Sequence, residues 1–415
     1  MKKSAILWLS LFLGLFAPAG GAALARDAPG GKPASAKPRG TMTWVRTFGS
    51  PELDLGHSVR QTSDGGYALS GYTFQSSRQR PDLWVLKLDA QGSKAWERTF
   101  ENAVHGNEEY LVSPGPDGAL WVLAPKDIGA GPLSRVIVRV IKLEASGRVA
   151  WDREFAEHSV AGFSLLATPD GGGLVGGYGS HGGRQVPWLM KLDGEGKPVW
   201  EKFLESAGGV ETVTALLSLP DRHTAVATSA SWKKGLRLVK IDAAGNAAWS
   251  KAYRSGNDTE RVRSLSLTSD GGFLLAGEAG STQFDGFILK LDAQGGRMWD
   301  RLIPGAGSGA YAQPARDGGI LAVRRQENAK TQKVDIFLAK FDRNGNPAWA
   351  KVLGEGGASY LVFALVVLAG GTGPLPKRNL DLLVVKTDAD GQVEKPGLVK
   401  PLPRLPRYEE NLFKP

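Results

Sequence analysis

The stretch KLDAQG, residues 87–92, is followed four residues later by Trp96, and variants of this stretch return six more times along the chain. The seven copies begin at Lys87, Lys142, Lys191, Lys240, Lys290, Lys340 and Lys386. A period of about fifty residues is typical of one β-propeller blade with four strands. The sequence therefore predicts an all-β protein, a seven-bladed β-propeller of four-stranded antiparallel blades.

Turn signals inside each unit predict two hairpins. Asp64-Gly65-Gly66 lies between two apolar runs, and Asp-Gly favours a tight hairpin because both central residues need positive φ. The Asp-x-x-Gly that follows each lysine suits a second turn of type I. The fourth unit departs from this pattern, since Asp221-Arg222-His223 stands at its first turn.

The two ends of the repeat array predict how the ring closes. The stretch WVRTF at residues 44–48 closely matches WERTF at residues 96–100, whereas the seventh unit has no Trp after KTDADG. The N-terminal strand is therefore expected to supply the missing fourth strand of the last blade. Closure by one strand would remove the exposed edges that an open array leaves.

The N-terminal segment is predicted to be removed before folding. Lys2 and Lys3 precede an apolar run at residues 5–17, and small residues follow at Ala23 and Ala25, which is the order of a secretory signal peptide. The run is too short for a membrane span, which needs about twenty residues. We therefore expect a periplasmic or secreted protein that has no membrane span.

The remaining chain divides by composition. Residues 1–25 are predicted as the signal peptide, residues 26–42 as a disordered linker, residues 43–394 as the propeller and residues 395–415 as a proline-rich basic tail. The last segment contains five prolines, and proline at that density blocks helices and sheet ladders, so this segment is expected to be unfolded.

Cysteine content and charge exclude several function classes. The chain has no Cys, which excludes disulfides, thiolate metal sites and a cysteine nucleophile. The net charge is +9, but the excess of basic residues lies in the terminal segments, so the repeat region is close to neutral. A nucleic-acid-binding protein would carry a basic stripe on its folded part. We therefore expect a monomer that does not bind nucleic acid.

The Lys-Leu-Asp-x-x-Gly-x-x-x-Trp stretch resembles the Trp-docking repeat of quinoprotein-like (PQQ-like) propellers, and the whole unit resembles secreted bacterial propeller-repeat proteins. The resemblance implies that each Trp packs between neighbouring blades. Quinoprotein dehydrogenases commonly have eight blades and a paired-cysteine ring, whereas this chain has seven units and no Cys. A quinone-dependent oxidoreductase is therefore the least favoured of three functions.

Residues that repeat in every unit are interpreted as structural. Lys87 and Asp89 lie two residues apart on one face of a strand, and they predict a Lys–acid pair in each blade. A single catalytic site would need only one copy of its residues. The repeated Trp residues are assigned to the core, because large aromatic side chains dominate burial.

Acidic and histidine residues in the loops that lead into the first strand of each blade form the candidate site. Three acids are in register, since Asp54, Glu211 and Glu260 each lie ten residues before the turn position. These loops are expected to open at the central channel, where carboxylates from several blades would bind Ca²⁺ or a cationic group of a ligand. No other cofactor is indicated. The predicted ligand-binding residues are His57, Glu109, His158, Glu211 and Glu260.

Two functions stay open at this point. The favoured function is a binding or scaffold module that recognises a protein or glycan ligand at a propeller face, because the chain shows no metal-binding motif and no nucleophile elbow. The alternative is a glycan-acting hydrolase or lyase with its site at the channel mouth. Departures from the repeat concentrate in units two to four, which is expected of an enzyme and keeps this alternative open.

Overall fold

The structure, a computed structural model, describes most of the chain from residue 43 onward. The described residues are 43–50, 54–74, 81–101, 110–128, 135–156, 160–206, 210–230, 235–256, 259–281, 284–303, 309–315, 317–328, 333–353, 361–364, 367–372, 381–386, 399–401 and 413. Within these ranges, no helix has the length and apolarity needed to cross a membrane. The signal peptide and linker predicted for residues 1–42 lie outside the described residues.

Six blades each contain four antiparallel strands, hydrogen-bonded in the order in which the chain forms them. The strands of blades 1 to 3 are β2 (Asp54–Gln61), β3 (Tyr67–Thr73), β4 (Asp82–Leu88), β5 (Lys94–Phe100), β6 (Leu111–Pro114), β7 (Leu120–Ile128), β8 (Arg135–Leu143), β9 (Val149–Phe155), β10 (Val160–Ala167), β11 (Gly173–His181), β12 (Arg184–Leu192) and β13 (Pro198–Phe203). The strands of blades 4 to 6 are β14 (Glu211–Ser218), β15 (Thr224–Ala230), β16 (Gly235–Ile241), β17 (Ala247–Tyr253), β18 (Thr259–Leu267), β19 (Phe273–Gly280), β20 (Phe284–Leu291), β21 (Arg297–Ile303), β22 (Tyr311–Pro314), β23 (Ile320–Asn328), β24 (Lys333–Phe341) and β25 (Pro347–Leu353).

An extra sheet joins the two ends of the array. It contains β1 (Trp44–Phe48), β26 (Leu361–Ala364), β27 (Val367–Thr372) and β28 (Asp381–Lys386), and β1 pairs with β28. Trp44 stands opposite Lys386, as Trp96 stands opposite Lys87 in blade 1. The predicted pairing of the N-terminal strand is therefore present. The structure has six blades rather than the predicted seven. The seventh unit lacks the Asp-Gly turn, and its strands β26, β27 and β28 form a four-stranded sheet only because β1 joins them.

The first strand of each blade lies innermost, where it contacts the first strands of the blades on either side. The apolar core lies between the faces of neighbouring blades. Leu83 and Val85 of blade 1, for example, pack against Val112 and Leu120 of blade 2. Each blade is therefore stabilised mainly by its neighbours.

The first turn of each blade explains the repeated lysine. Gly65 has φ of 81°, and the Asp64 carboxylate accepts a hydrogen bond from the Gly66 amide at 3.0 Å. Lys87 Nζ donates to the same carboxylate at 2.8 Å, and this hydrogen bond lowers the pKa of Asp64 to about 2. The same ion pair recurs as Lys142–Asp117, Lys191–Asp170, Lys240–Asp221, Lys290–Asp270 and Lys340–Asp317.

The lysine partner differs from the one that the sequence predicted. Asp89 does not pair with Lys87; its carboxylate accepts hydrogen bonds from the amides of Gln91 and Ser93 at 2.9 and 2.8 Å. The predicted acid therefore closes the second turn, while the acid of the first turn holds the lysine. Residues two apart share a strand face, but the strand ends at Leu88, so Asp89 already belongs to the turn.

Five of the docking Trp residues attach one blade to the next by a hydrogen bond. The indole N–H of Trp96 in blade 1 donates to the Ala145 carbonyl in the second turn of blade 2 at 3.0 Å. The ring also covers Gly147, where an added Cβ would lie 2.8 Å from it. Equivalent hydrogen bonds join Trp44 to Ala90, Trp151 to Gly194, Trp200 to Ala243 and Trp299 to Arg343. The Gly and the Trp of the repeat are therefore two sides of one contact.

A basic residue two positions after the Trp completes this contact. Arg98 Nε donates to the Gly147 carbonyl at 2.9 Å, and Arg301 Nε donates to the Gly345 carbonyl at 2.7 Å. Arg98 also lies over the ring of Trp96, with 5.9 Å between its guanidinium carbon and the ring centroid. The pattern Trp-x-Lys/Arg holds in all seven copies of the strand, and the sequence interpretation did not use it.

Part of the proline-rich tail folds onto the propeller. A short strand, β29 (Val399–Pro401), pairs antiparallel with β25 at the outer edge of blade 6. Phe413 is fully buried against Phe287, and its amide donates to Asp300 Oδ2 at 2.7 Å. The expectation of an unfolded tail is therefore wrong for these residues. A strand edge and an apolar recess in the body provide partners that the composition of the tail alone does not reveal.

Candidate functional site

The three acids that were predicted in register all lie at the start of a first strand, and all are buried. Asp54, Glu211 and Glu260 are at most 1% exposed. Each accepts a hydrogen bond from a serine of the preceding loop: Ser50 Oγ donates to Asp54 at 3.0 Å, Ser206 Oγ donates to Glu211 at 3.0 Å, and Ser255 donates its amide to Glu260 at 2.9 Å. Each acid therefore fixes the loop that enters its own blade.

Glu211 has both carboxylate oxygens occupied. Thr228 Oγ1 donates to Oε1 at 2.5 Å, Arg237 Nε donates to the same oxygen at 2.7 Å, and Ser206 holds Oε2. Arg237 neutralises the buried charge, because the ion pair is almost closed to solvent. These bonds account for the burial of Glu211 without any ligand.

Glu260 differs from Glu211 in the hydrogen bonding of one carboxylate oxygen. Its Oε1 is held by the amide and hydroxyl of Ser255, but its Oε2 is buried and has no hydrogen-bond partner among the described residues. A buried polar atom without a partner costs free energy, so it needs an explanation. Glu260 also lines a cavity, which places the unsatisfied carboxylate beside an empty volume.

His57 lies between the aromatic side chains of blades 1 and 2. Its ring centroid is 5.4 Å from that of Tyr72 and 5.3 Å from that of Tyr110. Burial lowers the pKa of His57 to about 4, so the ring is neutral at pH 7. Its Nε2 is buried and has no hydrogen-bond partner in the described part of the chain.

The other two predicted ligand-binding residues, Glu109 and His158, lie outside the described residues. Within the residues that the structure describes, no group of three or more acidic or histidine side chains is arranged to hold a metal ion. Glu211 and Glu260 are equivalent positions in neighbouring blades, but each turns to the serine of its own loop. Calcium binding at the channel mouth therefore stays a prediction without a described ligand set.

A β-bulge marks the part of the site that sequence reasoning missed. The pairing of the first two strands shifts by one residue in four blades, and the extra residue stands seven positions before the turn Asp each time. A bulge redirects a side chain and bends the strand. The four bulged residues are His57, Phe163, Thr214 and Arg263.

The bulge position differs in every blade, although the frame around it repeats. In the two blades without a described bulge the same position is Tyr110 and Ala310, and both are fully buried. Six blades thus present six different residue types at one place on the innermost strand. This asymmetry was visible in the sequence, because the residue seven positions before the turn Asp is of a different type in each of the six units that have this turn.

Three of these bulged residues meet in one cavity. Its volume is about 320 Å³, and its walls include Phe163 of blade 3, Thr214 of blade 4, and Glu260 and Arg263 of blade 5. Phe163 and Tyr178 are stacked and half-buried, with ring centroids 5.6 Å apart. The cavity therefore joins the innermost strands of three consecutive blades.

The arginines of this wall are already engaged. Arg261 Nη1 and Arg263 Nη2 donate to Glu278 Oε1 at 3.2 and 3.0 Å. The Gly309 amide donates to Glu278 Oε2 at 2.9 Å and so ties blade 6 to the same carboxylate. Glu278 therefore offsets much of the positive charge, and Glu260 remains the acid with an open oxygen in the cavity.

Comparisons with known proteins found structural likenesses and no sequence relatives. No family model matches the sequence, and no curated protein matches it. Among solved structures, Sqt1 of Chaetomium thermophilum is similar, with 14% identity, 87% of each chain covered and a TM-score of 0.42. It was also solved bound to the N-terminus of the ribosomal protein L10, and that structure has a TM-score of 0.39 to this chain.

Two bacterial structures show a similar likeness. A protein of unknown function from Dyadobacter fermentans is 9% identical, covers 82% of this chain and 99% of its own, and has a TM-score of 0.49. The K499G mutant of NanB sialidase from Streptococcus pneumoniae is 10% identical, covers 85% and 71%, and has a TM-score of 0.43. All of these TM-scores are below 0.5, so the likenesses carry no argument about this chain.

Proposed function

We propose that this chain is a binding module that holds a protein ligand by a cationic side chain in the cavity at Glu260. One observation carries the proposal: Oε2 of Glu260 is buried without a partner and lies at a cavity whose walls are the non-repeated residues of three blades. A lysine or arginine side chain of a ligand would supply the missing donor. A charge-assisted hydrogen bond of this kind is stronger than a neutral one.

The repeated residues support this assignment because they have structural partners. The lysines hold the first turns, the docking Trp residues attach neighbouring blades, and Glu211 is satisfied by Thr228 and Arg237. A ligand site must therefore be sought where the blades differ. The cavity at Glu260 meets this requirement through Phe163, Thr214 and Arg263.

The shape of the cavity suits an extended side chain. The stacked pair of Phe163 and Tyr178 forms an apolar wall, along which the aliphatic part of a lysine or arginine would lie. The carboxylate at the blade 5 wall would receive the charged end. The volume of about 320 Å³ is at the lower end of the range for ligand pockets, which suits one side chain rather than a folded surface.

A peptide library tests the proposal. Immobilised protein is offered a random hexapeptide library, and the bound peptides are sequenced for the parent, for Glu260→Gln and for the matched control Glu211→Gln. We expect lysine and arginine to be enriched on the parent, and we expect affinity to fall by at least about tenfold in Glu260→Gln. Glu211→Gln changes the equivalent acid of the neighbouring blade, so it should keep the ligands of the parent.

The same experiment can reject the proposal. If peptides bound to the parent show no enrichment of basic residues, or if Glu211→Gln loses the same peptides as Glu260→Gln, the cavity at Glu260 does not select a cation. A photoreactive phenylalanine analogue at Phe163 should cross-link the bound peptide, whereas the same analogue at the exposed Val199 of β13 should not.

The alternative, a glycan-acting hydrolase or lyase, has less support from this cavity. Glycoside hydrolysis commonly uses two carboxylates on either side of the scissile bond. Glu260 is the only acidic residue among the described residues that line the cavity. The nearby Glu278 already accepts hydrogen bonds from Arg261 and Arg263. The aromatic pair could also stack on a sugar ring, so the library experiment should be repeated with an oligosaccharide array. Glycan binding in place of peptide binding would favour the alternative.

Three finer statements belong to the same proposal. We propose that the extra sheet is the seventh blade of a closed ring, with the Trp-docking repeat of PQQ-like propellers.

We also propose that the protein is exported to the periplasm or the medium after loss of residues 1–25. The intact mass of protein recovered from the cell envelope or the medium tests export, since a mature chain that still contains Trp8 would exclude cleavage at this site.

A further inference from the structure

The first turn of blade 4 contains an arginine where the other five blades have glycine. Arg222 has φ of 65°, and among the described residues it is the only one other than glycine with a positive φ. Residues with a Cβ rarely occupy this left-handed region. The equivalent glycines, with φ between 78° and 81°, are Gly65, Gly118, Gly171, Gly271 and Gly318.

The turn itself gives no reason for the arginine. The Asp221 carboxylate accepts the His223 amide at 3.2 Å and pairs with Lys240, as the turn aspartates of other blades pair with their lysines. Leu219 and His223 close the turn with the usual backbone hydrogen bond of 2.9 Å. The fold therefore tolerates Arg222 at a cost in stability, and strained residues of this kind concentrate at functional sites.

Arg222 lines a second cavity, at the seam between blades 3 and 4. Its volume is about 470 Å³, which falls in the range of small-molecule pockets. Apolar side chains provide much of the wall, and Arg222 and His223 provide polar groups. The apolar residues are Leu174, Trp200, Leu219 and Ile241.

Arg222 is the cationic group at this cavity that has no ion-pair partner among the described residues. Lys191 and Asp170 both line it, but they form an ion pair at 2.9 Å and so offset each other. Asp242 also lines the cavity, and its carboxylate accepts a hydrogen bond from the Asn246 amide at 2.8 Å within its own turn. In the described part of the chain, no hydrogen bond or ion pair engages the guanidinium of Arg222. Arg222 is exposed, and it lines this mostly apolar volume with donors that no described residue engages.

The equivalent seam between blades 5 and 6 provides an internal comparison. It contains a smaller cavity of about 330 Å³, lined by Asp270, Asp317, Gly318, Lys290 and Arg343. Glycine replaces the strained arginine at the turn position, so the cation of this seam, Arg343, comes from the second turn of blade 6 instead. An arginine at the first turn is therefore a property of blade 4 and not of every seam.

We propose that the seam between blades 3 and 4 binds a small organic anion with an apolar body, such as an aromatic or aliphatic carboxylate. The apolar wall with Trp200 receives the body, and the Arg222 guanidinium binds the carboxylate, for which its planar donor pair is suited. His223 lies beside Arg222 as a second polar group at this end of the cavity. This site is separate from the proposed cation site at Glu260.

Isothermal titration calorimetry with three probes tests the proposal. The probes 4-phenylbutyrate, 4-phenylbutan-1-ol and 4-phenylbutan-1-amine share an apolar body and differ in the charge of the head group. We expect the acid to bind at least about tenfold more tightly than the alcohol, and the amine to bind most weakly. Equal affinities for the three probes, or no binding of the acid at millimolar concentration, would overturn the assignment.

Two variants separate the charge of Arg222 from its strain. Arg222→Gly restores the turn of the other blades and removes the charge, whereas Arg222→Gln removes the charge and keeps the Cβ. Both variants should bind 4-phenylbutyrate at least about tenfold more weakly than the parent, while Arg222→Lys should retain part of the affinity. Arg222→Gly should raise the melting temperature, so its loss of binding cannot come from unfolding.

A third variant distinguishes this site from the proposed function. Glu260→Gln should leave the affinity for 4-phenylbutyrate unchanged, whether or not it loses its peptide ligands. If Arg222→Gln binds the acid as tightly as the parent protein, Arg222 is not the anion-binding group and the proposal is wrong.

Discussion

Blade 3 allows the contact between the docking Trp and the turn glycine to be measured by itself. Gly171 and Gly196 lie in the two turns of this blade, with φ of 81° and 76°. Their amides donate similar hydrogen bonds, at 3.0 and 3.1 Å. An added Cβ at Gly171 would meet no atom within 4 Å, whereas one at Gly196 would lie 2.9 Å from the ring of Trp151. The alanine variants therefore share backbone strain and differ in the contact with the Trp151 ring and in a contact of 3.0 Å with the flexible side chain of Arg153, which can move away.

The expected magnitudes follow from these distances. Backbone strain at positive φ costs about 1–2 kcal/mol in both variants, and the reduced entropy of the unfolded chain offsets about 0.4–1 kcal/mol of it. Gly196→Ala adds the cost of overpacking against Trp151, about 1–3 kcal/mol. We therefore expect the free energy of unfolding, measured by urea titration with circular dichroism, to fall by about 1–3 kcal/mol more in Gly196→Ala than in Gly171→Ala.

A double-mutant cycle provides the control. In a Trp151→Ala background no ring covers Gly196, so Gly196→Ala should cost no more than Gly171→Ala does in the parent. Two results would refute the reasoning. The first is an equal loss of stability for the two glycine variants, and the second is additivity of Gly196→Ala and Trp151→Ala.

Three further predictions concern stability. Because burial lowers the pKa of His57 to about 4, the folded protein should lose stability as pH falls from 6.5 towards 4, and His57→Phe should flatten this dependence in urea titrations at pH 4, 5, 6 and 7. Phe413→Ala should cost about 3–5 kcal/mol, whereas Val199→Ala, at an exposed site on an outer strand, should change stability by less than about 0.5 kcal/mol. Deletion of residues 43–48 removes β1 and the buried Trp44, so it should lower the melting temperature by more than loss of the C-terminal Pro415 alone.

The repeated residues explain why so much of the fold could be predicted. A lysine, a turn acid, a glycine and a Trp that recur together mark one blade, because each of them contacts a partner at a fixed place in the same blade or the next. Lys87 needs the Asp64 turn, and Trp96 needs the Gly147 turn. The pairing of β1 with β28 followed from the same logic, since Trp44 is the copy of the Trp that the seventh unit lacks.

The errors have physical causes that a single sequence hides. Register placed Glu211 and Glu260 at equivalent positions, but register does not tell which way a side chain turns, and both turn to a loop serine. Phe413 is one aromatic residue in a proline-rich tail, and the recess that buries it is formed by residues more than a hundred positions away. The bulge at Arg263 adds a residue to a strand whose other positions keep their alternation, so no turn residue signals it.

Blade 4 links the two proposed sites and also keeps them apart. Val210, Thr212 and Thr214, at the start of β14, line the cavity at Glu260, whereas Ser218 and Leu219, at the end of the same strand, line the cavity at Arg222. Thr214 and Ser218 are four residues apart, which is roughly 13 Å along the strand, so the two cavities are distinct sites. Coupling between them could pass through β14 and through β11 and β15, which also contribute residues to both cavities. Thermodynamic linkage requires any such coupling to be reciprocal, so the effect of 4-phenylbutyrate on peptide affinity must equal the effect of the peptide on 4-phenylbutyrate affinity.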